Sequence, residues 1–142
     1  VRLIADIEKF LGYDNLSDAV IVGAGGLGKA FLGYEGFKSN GLNIVAAFDV
    51  DLRIVGEEIA GKKVYPMDKF SDFVQHKKIN IGIITVPKAA AQETLDTMVR
   101  AGIKAVWNFA PAPLRVPKGI ILKNEDLSAS LALLAGELSK GR

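Results

Sequence analysis

The sequence predicts an α/β domain built on a doubly wound, mostly parallel sheet, and three observations carry that expectation. Short runs rich in Val, Ile and Ala alternate with stretches of helical periodicity. The strand runs are apolar throughout rather than alternating, as in strands covered by helices on both faces. The first run ends in a glycine-rich turn, Val20-Ile-Val-Gly-Ala-Gly-Gly-Leu-Gly-Lys29, that passes directly into a helical pattern.

Taken in order, Val1 to Leu11 sets Leu3, Ile4, Ile7, Phe10 and Leu11 on one face of a short amphipathic helix that Gly12 is placed to stop. Ala19 to Val22 predicts a buried strand and Leu27 to Tyr34 a helix. Ile44 to Asp49, after the turn signal Asn40-Gly41, predicts a second strand. Strand, helix and strand fit the roughly 30 residues of a βαβ unit. Val50 to Ile59 is expected to hold a short helix, and Val64-Tyr65, before Pro66, a short strand. Asp68 is expected to cap a helix through Gln75, and Ile81 to Val86 is another buried strand.

Pro87 suits the first turn of the next helix, where its missing N–H is no loss, and that helix runs through Ala90, Thr94, Met98 and Val99 to Gly102. Ala105 to Asn108 and Ile120 to Leu122 are two further strands, separated by a Pro-rich loop from Ala110 to Pro117. Asn124 or Asp126 caps a closing helix whose Leu127, Leu131, Leu134 and Leu138 form a stripe. That stripe packs on the chain's own sheet or reaches a second subunit. Right-handed crossovers make 3-2-1-4-5-6 the expected strand order.

With 142 residues, the chain fits one domain able to bury roughly two-thirds of its unfolded surface. Hydrophobic residues at 49% and charged residues at 24% match a globular α/β protein rather than a disordered one. No apolar run approaches the roughly 20 residues of a membrane span, and no basic-then-apolar leader opens the chain, so a cytoplasmic protein is expected. The absence of cysteine excludes disulfides, thiolate zinc sites and thiol redox chemistry. The net charge of +2 is spread without a Lys/Arg block, which gives no support for a nucleic-acid surface within these residues. Val1 in place of an initiator Met suggests a piece of a longer protein.

Gly23, Gly25 and Gly28 make a G-x-G-x-x-G with a strand before it, a helix after it and an acidic residue ending the next strand. Gly23 is expected to make the tight turn, Gly25 to let the backbone approach a pyrophosphate, and Gly28 to let helix and strand pack closely. The helix beginning near Gly26 offers free N–H groups and its positive dipole end to the phosphates. Asp49, about 20 residues beyond the glycines, suits the ribose hydroxyls of an adenosine half. With Asp51 beside it, a 2′-phosphate is repelled, which favours NAD over NADP; Arg53 nearby could pair with such a phosphate instead.

Thr85-Val86-Pro87 and Asn108-Phe109 end the strands next to the first, where open parallel sheets bind ligands. Thr85 and Asn108 can hydrogen-bond a ribose or carboxamide, and Val86 and Phe109 can wall a flat ring; an ordinary strand-to-helix turn and a buried aromatic stay open as the alternative. His76 reads as a solvated helix end and Trp107 as core. No paired carboxylates, nucleophile with adjacent base, or metal-ligand cluster emerges, so the motifs describe a cofactor cradle without catalytic residues.

With these segments in view, the chain resembles the cofactor-binding domain of the Rex family of redox-sensing transcriptional repressors. The matching stretches are Val20 to Ala30, Ile44-Val-Ala-Ala-Phe-Asp-Val-Asp51, Ile81-Gly-Ile-Ile-Thr-Val-Pro87 with Ala89-Ala-Ala-Gln92, Ala101-Gly-Ile-Lys104, Asn108-Phe-Ala-Pro111, Val116-Pro117 and Asn124-Glu-Asp-Leu127. The resemblance implies a Rossmann-type domain that binds NADH or NAD⁺. It implies a homodimer whose closing helix is exchanged between subunits, and release of operator DNA when NADH closes the dimer.

On that resemblance Gly23, Ala24, Gly25, Gly26, Leu27 and Gly28 hold the pyrophosphate, and Asp49, with Val50 and Asp51, the adenosine ribose. Thr85, Val86, Pro87, Asn108, Phe109 and Ala110 border the nicotinamide half, with Asp126 and Leu127 from the partner subunit. The implied division is a linker helix over 1–18, the dinucleotide-binding domain over 19–123 and a dimerisation helix over 124–142. The family's N-terminal winged helix has no counterpart in the 142 residues, so operator DNA would be met only through that missing domain, and no metal or membrane partner is implied. Gly26 departs from the larger polar residue of many relatives. Three other readings stay open: the cofactor half of an NAD-dependent oxidoreductase, a CoA-binding domain of similar architecture, and a structural protein without ligand. The first would lack the Glu-Lys-Pro that oxidoreductases of the glucose-fructose type carry where this chain has Asn-Phe-Ala-Pro, and Asp49 would repel the 3′-phosphate of CoA.

Overall fold

A computed structural model of the chain describes residues 17–39 and 41–125. In order, the elements are β1 (Ser17–Val22), α1 (Gly26–Leu32), the single turn α2 (Gly36–Ser39), β2 (Leu42–Asp49), β3 (Glu58–Ile59) and β4 (Lys62–Pro66). A 3-10 turn (Met67–Lys69) then leads into α3 (Phe70–Lys77), followed by β5 (Ile81–Ile84), α4 (Lys88–Ala101), β6 (Ala105–Asn108) and β7 (Ile121–Asn124). The seven described strands form one sheet in the order β3-β4-β2-β1-β5-β6-β7. Every pairing is parallel except β3 with β4. Apart from β3, this is the expected 3-2-1-4-5-6 order, with the direction of winding reversing between β1 and β5.

The central strands bury both faces, and their residues divide by parity. Ala19 and Ile21 of β1 and Ile81 and Ile83 of β5 join Leu32, Phe37 and Trp107 in the core on the α1 side. Val20, Val22 and Ile84 join Phe70, Val74, Leu95 and Met98 on the side of α3 and α4. Two apolar layers on one strand leave no polar position, which is why these runs carry no alternation. Gly82 shows how closely α4 sits: a Cβ there would stand 2.6 Å from Met98 Sδ.

Several local expectations are corrected. Val50 to Ile59 forms no helix. The Ile54 and Val55 N–H groups both donate to the Asp51 carbonyl in one turn, and the chain then enters β3. Gly56, at φ +93, leaves the helical region, and Ala60 and Gly61, at φ +53 and +80, close a two-residue hairpin from β3 to β4 whose turn needs positive φ at both positions. Asp68 lies inside the 3-10 turn and makes no side-chain cap bond there or to α3, because the chain already turns at Pro66. Pro87 stands just before α4 rather than in its first turn. Asn124 ends β7, and the helix it is expected to cap lies outside the described residues. α1 stops at Leu32, ahead of Gly33, not at Tyr34. The helices expected over Val1 to Leu11 and from Asp126 onward lie outside the described residues. Among the described residues, no helix is long and apolar enough to cross a membrane.

Candidate functional site

Two neighbouring strand ends hold the turn that follows β1. Gly23 takes φ +104, a conformation that suits glycine, and donates its N–H to Phe48 O at 2.8 Å. Thr85, just after β5, donates its hydroxyl to Gly23 O at 2.6 Å and its N–H to Val22 O at 3.0 Å. From the other side Asp49, at the end of β2, accepts the Ala24 N–H on Oδ2 at 2.7 Å and the Asp51 N–H on Oδ1 at 2.9 Å. A turn pinned by a hydroxyl and a carboxylate is fixed before any ligand arrives.

The three motif glycines meet different surroundings. A Cβ on Gly28 would run into the Gly23 carbonyl oxygen, whereas Gly25 and Gly26 have nothing within 4 Å of where a Cβ would stand. Lys29 N–H bonds to Gly25 O at 2.9 Å, so the N–H groups of the first turn of α1 have no helical acceptor. Bare backbone with outward N–H groups is a surface that a phosphate can approach closely.

Beside this turn opens a cavity of about 730 Å³, within the roughly 300–1,000 Å³ of small-molecule sites. Gly23, Gly25, Asp49 and Val50 line one part of it and Thr85, Val86 and Pro87 another. Met67, Asp68, Ala90, Glu93, Thr94 and Thr97 complete the wall with Val22. Among the described residues, the lining includes three carboxylates, Asp49, Asp68 and Glu93, and no Lys, Arg or His. Beyond the rim, Asp51 Oδ1 and Oδ2 accept from Arg53 Nε and Nη2, both at 3.0 Å. Those hydrogen bonds hold the Asp51 carboxyl below the usual carboxylate range and raise the Arg53 guanidinium.

Seven expected site residues therefore converge on the cavity: Gly23, Gly25, Asp49, Val50, Thr85, Val86 and Pro87. Ala24 is buried behind the turn with its N–H on Asp49, and Gly26, Leu27 and Gly28 lead away in α1. Asn108, Phe109 and Ala110 are not brought to the cavity. Asn108 is fully buried; its Oδ1 accepts the Ala110 N–H at 2.9 Å, and its Nδ2 donates to Ala110 O at 3.1 Å and Asn124 Oδ1 at 3.0 Å. Its amide thus ties β6 to β7 and is not free to face a ligand. Phe109 packs on Phe31 and Trp107, both at 4.8 Å between ring centroids, in the core on the α1 side. Leu127 and Asp126 lie outside the described residues. His76 is exposed in the last turn of α3, as expected.

The sequence reasoning missed Met67, Asp68, Ala90, Glu93, Thr94 and Thr97. A signal for each existed. Met67 and Asp68 follow the end of β4, the next strand beyond β2, where strand-end ligands are expected. Ala90, Glu93, Thr94 and Thr97 repeat at helical spacing from Pro87 onward and so share one face of α4. Among the described residues, no group of His, Cys, Asp and Glu is arranged to hold a metal ion.

Comparison with known proteins adds three findings. The family model described as "CoA binding domain" matches residues 14–112. The redox-sensing transcriptional repressor Rex of Treponema denticola is 48% identical over 132 residues, covering 93% of this chain and 63% of the relative. That of Clostridioides difficile is 43% identical over 140 residues, covering 99% and 67%. The chain thus spans about three-fifths to two-thirds of the curated relatives it matches. Among solved structures, RSP, a Rex-family repressor, superposes with a TM-score of 0.85 at 41% identity over 99% of this chain and 67% of RSP. RSP has been solved with β-NADH and with β-NAD⁺ and operator DNA.

Proposed function

Because the chain belongs to the Rex family of redox-sensing transcriptional repressors, we propose that it is the domain with which such a repressor senses NADH against NAD⁺. The observation that carries this reading is the Asp49 carboxylate, bonded to the glycine turn and lining a cavity to which the described residues bring carboxylates and no cationic side chain. Ribose hydroxyls donate hydrogen bonds and suit a carboxylate, whereas the 3′-phosphate of CoA would meet Asp49, Asp68 and Glu93. The open face of Gly25 fits a pyrophosphate, which the N–H groups of the turn and of α1 would hold. Because Thr85, Val86 and Pro87 share the cavity with Asp49, we assign them to the adenosine half of the ligand, in place of the nicotinamide half. The homologues are named as repressors rather than enzymes.

A sensor of this kind needs only a difference in affinity. Moving a two-state dimer from 1:99 to 99:1 takes about 5.5 kcal/mol of differential binding. The nicotinamide ring of NAD⁺ carries a positive charge and that of NADH does not, so an apolar wall on the nicotinamide side disfavours NAD⁺ through desolvation. On this reading NADH binds tighter, the partner subunit completes the nicotinamide side through Leu127, and NADH releases the full protein from its operator in the cytoplasm. The test is calorimetric titration of the nucleotide-free chain with NADH, NAD⁺ and CoA in parallel. Tightest binding of NADH and no heat from CoA are expected; a preference for CoA, or equal affinity for NADH and NAD⁺, would overturn the reading.

A further inference from the structure

Two side-chain amides hold the loop of residues 109–120 that joins β6 to β7. At its start the buried Asn108 amide meets both backbone groups of Ala110. At Arg115 the Gln92 amide repeats the pattern from α4. Its Oε1 accepts the Arg115 N–H at 2.8 Å, and its Nε2 donates to Arg115 O at 2.9 Å. Nε2 also donates to Asp96 Oδ1 at 3.0 Å, one helical turn on, which uses every hydrogen of the amide. Pro111, Pro113 and Pro117 remove N–H donors from the loop, so Gln92 supplies the peptide-like pairing that a neighbouring strand would otherwise give. Ala112, Leu114 and Val116 pack against the core on the α4 side, while Arg115 is exposed.

The two anchors rest on different parts of the molecule. Asn108 belongs to the sheet, but Gln92 belongs to the helix that brings Ala90, Glu93, Thr94 and Thr97 to the cavity. Gln92 and Asp96 directly precede Glu93 and Thr97, so clamp and cavity wall are adjoining faces of one helix, roughly 100° apart. A ligand that seats against that wall and fixes α4 on the sheet also fixes the distance between the two anchors. The pairing at Arg115 is open to water and adds little net stability, so a small bias in the position of α4 is enough to close or release it. Resting on the dinucleotide reading above, we propose that Gln92 is a positioning residue that couples occupancy of the cavity to the course of the loop into β7. Closing the clamp and filling the cavity then favour each other by the same factor, because coupling between two sites is reciprocal.

The experiment measures amide hydrogen exchange of the chain with and without NADH, and NADH affinity by calorimetry, for the wild type and for Gln92→Ala. In the wild type NADH is expected to slow exchange of the Arg115 N–H about fivefold or more, the lower end of ordinary coupling between sites. Gln92→Ala should weaken NADH by about the factor read from wild-type exchange. It should also abolish the response around Arg115, while NADH still protects the N–H groups from Gly25 to Gly28. A residue that only supports the fold would lower the urea midpoint and leave wild-type exchange at Arg115 indifferent to NADH. That indifference, in a wild type whose glycine turn is protected by NADH, overturns the proposal while the dinucleotide reading stands, and it does so whether or not the variant folds. Full NADH affinity in Gln92→Ala, or a response around Arg115 that survives the substitution, overturns it equally. A wild type whose glycine turn NADH leaves unprotected overturns both readings.

Discussion

A methyl group on Gly28 would strike the Gly23 carbonyl, while one on Gly25 or Gly26 would meet nothing within 4 Å, so one motif predicts three phenotypes. Gly28→Ala must lift α1 from the turn and is expected to cost about 1–3 kcal/mol, read as a lower urea midpoint. Gly26→Ala, in a helix and without a positive φ, should instead stabilise by about 0.4–1 kcal/mol in the same assay. Gly25→Ala should leave the midpoint near wild type yet weaken NADH about tenfold or more, since the methyl fills the face that a pyrophosphate approaches. Unchanged NADH affinity would remove the pyrophosphate from this turn. Spacing alone located these glycines, and with them the tight turn at Gly23 and the close packing at Gly28. It could not reveal the Thr85 hydroxyl on Gly23 O, because that bond joins residues 62 apart. Asn108 marks the opposite limit: an amide at a strand end suits a ligand or its own loop equally, and the partners that decide, Ala110 and Asn124, depend on the sheet closing.

At the scale of elements, strands and helices were legible where a single periodicity ruled. β1, β5 and β6 are buried along their length, apart from the first residues of β1, and α4 buries Ala91, Thr94, Leu95, Met98 and Ala101 at helical spacing. The segment from Val50 to Ile59 was misread because its apolar residues also suit a short helix, and positive φ at Gly56, Ala60 and Gly61 is a backbone property that composition only hints at. Packing between elements yields a sharper expectation at Gly82, beneath α4. Gly82→Ala places a methyl 2.6 Å from Met98 Sδ and 2.8 Å from Cε, and the flexible thioether can yield only in part within a packed core. A loss of about 1–3 kcal/mol is expected. Met98→Ala alone should cost about 2–5 kcal/mol. Because the two changes share one space, the double variant should be more stable than the sum of the single losses implies. Additive urea midpoints would mean that α4 does not rest on Gly82.

For the molecule as a whole, the strand order followed from alternation and handedness, because each parallel pairing requires a crossover and crossovers have one hand. The antiparallel edge strand β3 escaped, since two residues carry no period. What no single chain can display is a site finished by a second subunit, and here the proposed sensor makes its most separable prediction. The described cavity carries the groups suited to the adenosine half, while the resemblance assigns the nicotinamide side to Leu127 of a partner. The two halves of the ligand should then respond to different residues. Leu127→Ala should weaken NADH by about tenfold to a hundredfold, the value of burying one leucine side chain at roughly 1.5–3 kcal/mol. The same substitution should leave ADP, which has no nicotinamide, within about twofold of wild type on the same affinity scale. Asp49→Ala should weaken both ligands together, since each contains the adenosine ribose. Equal losses of NADH and ADP in Leu127→Ala would mean that the residue supports the fold rather than the nicotinamide. An unchanged NADH affinity would leave the ring to be read within one subunit, and closure of the dimer could not then be driven by contact between Leu127 and the reduced ring.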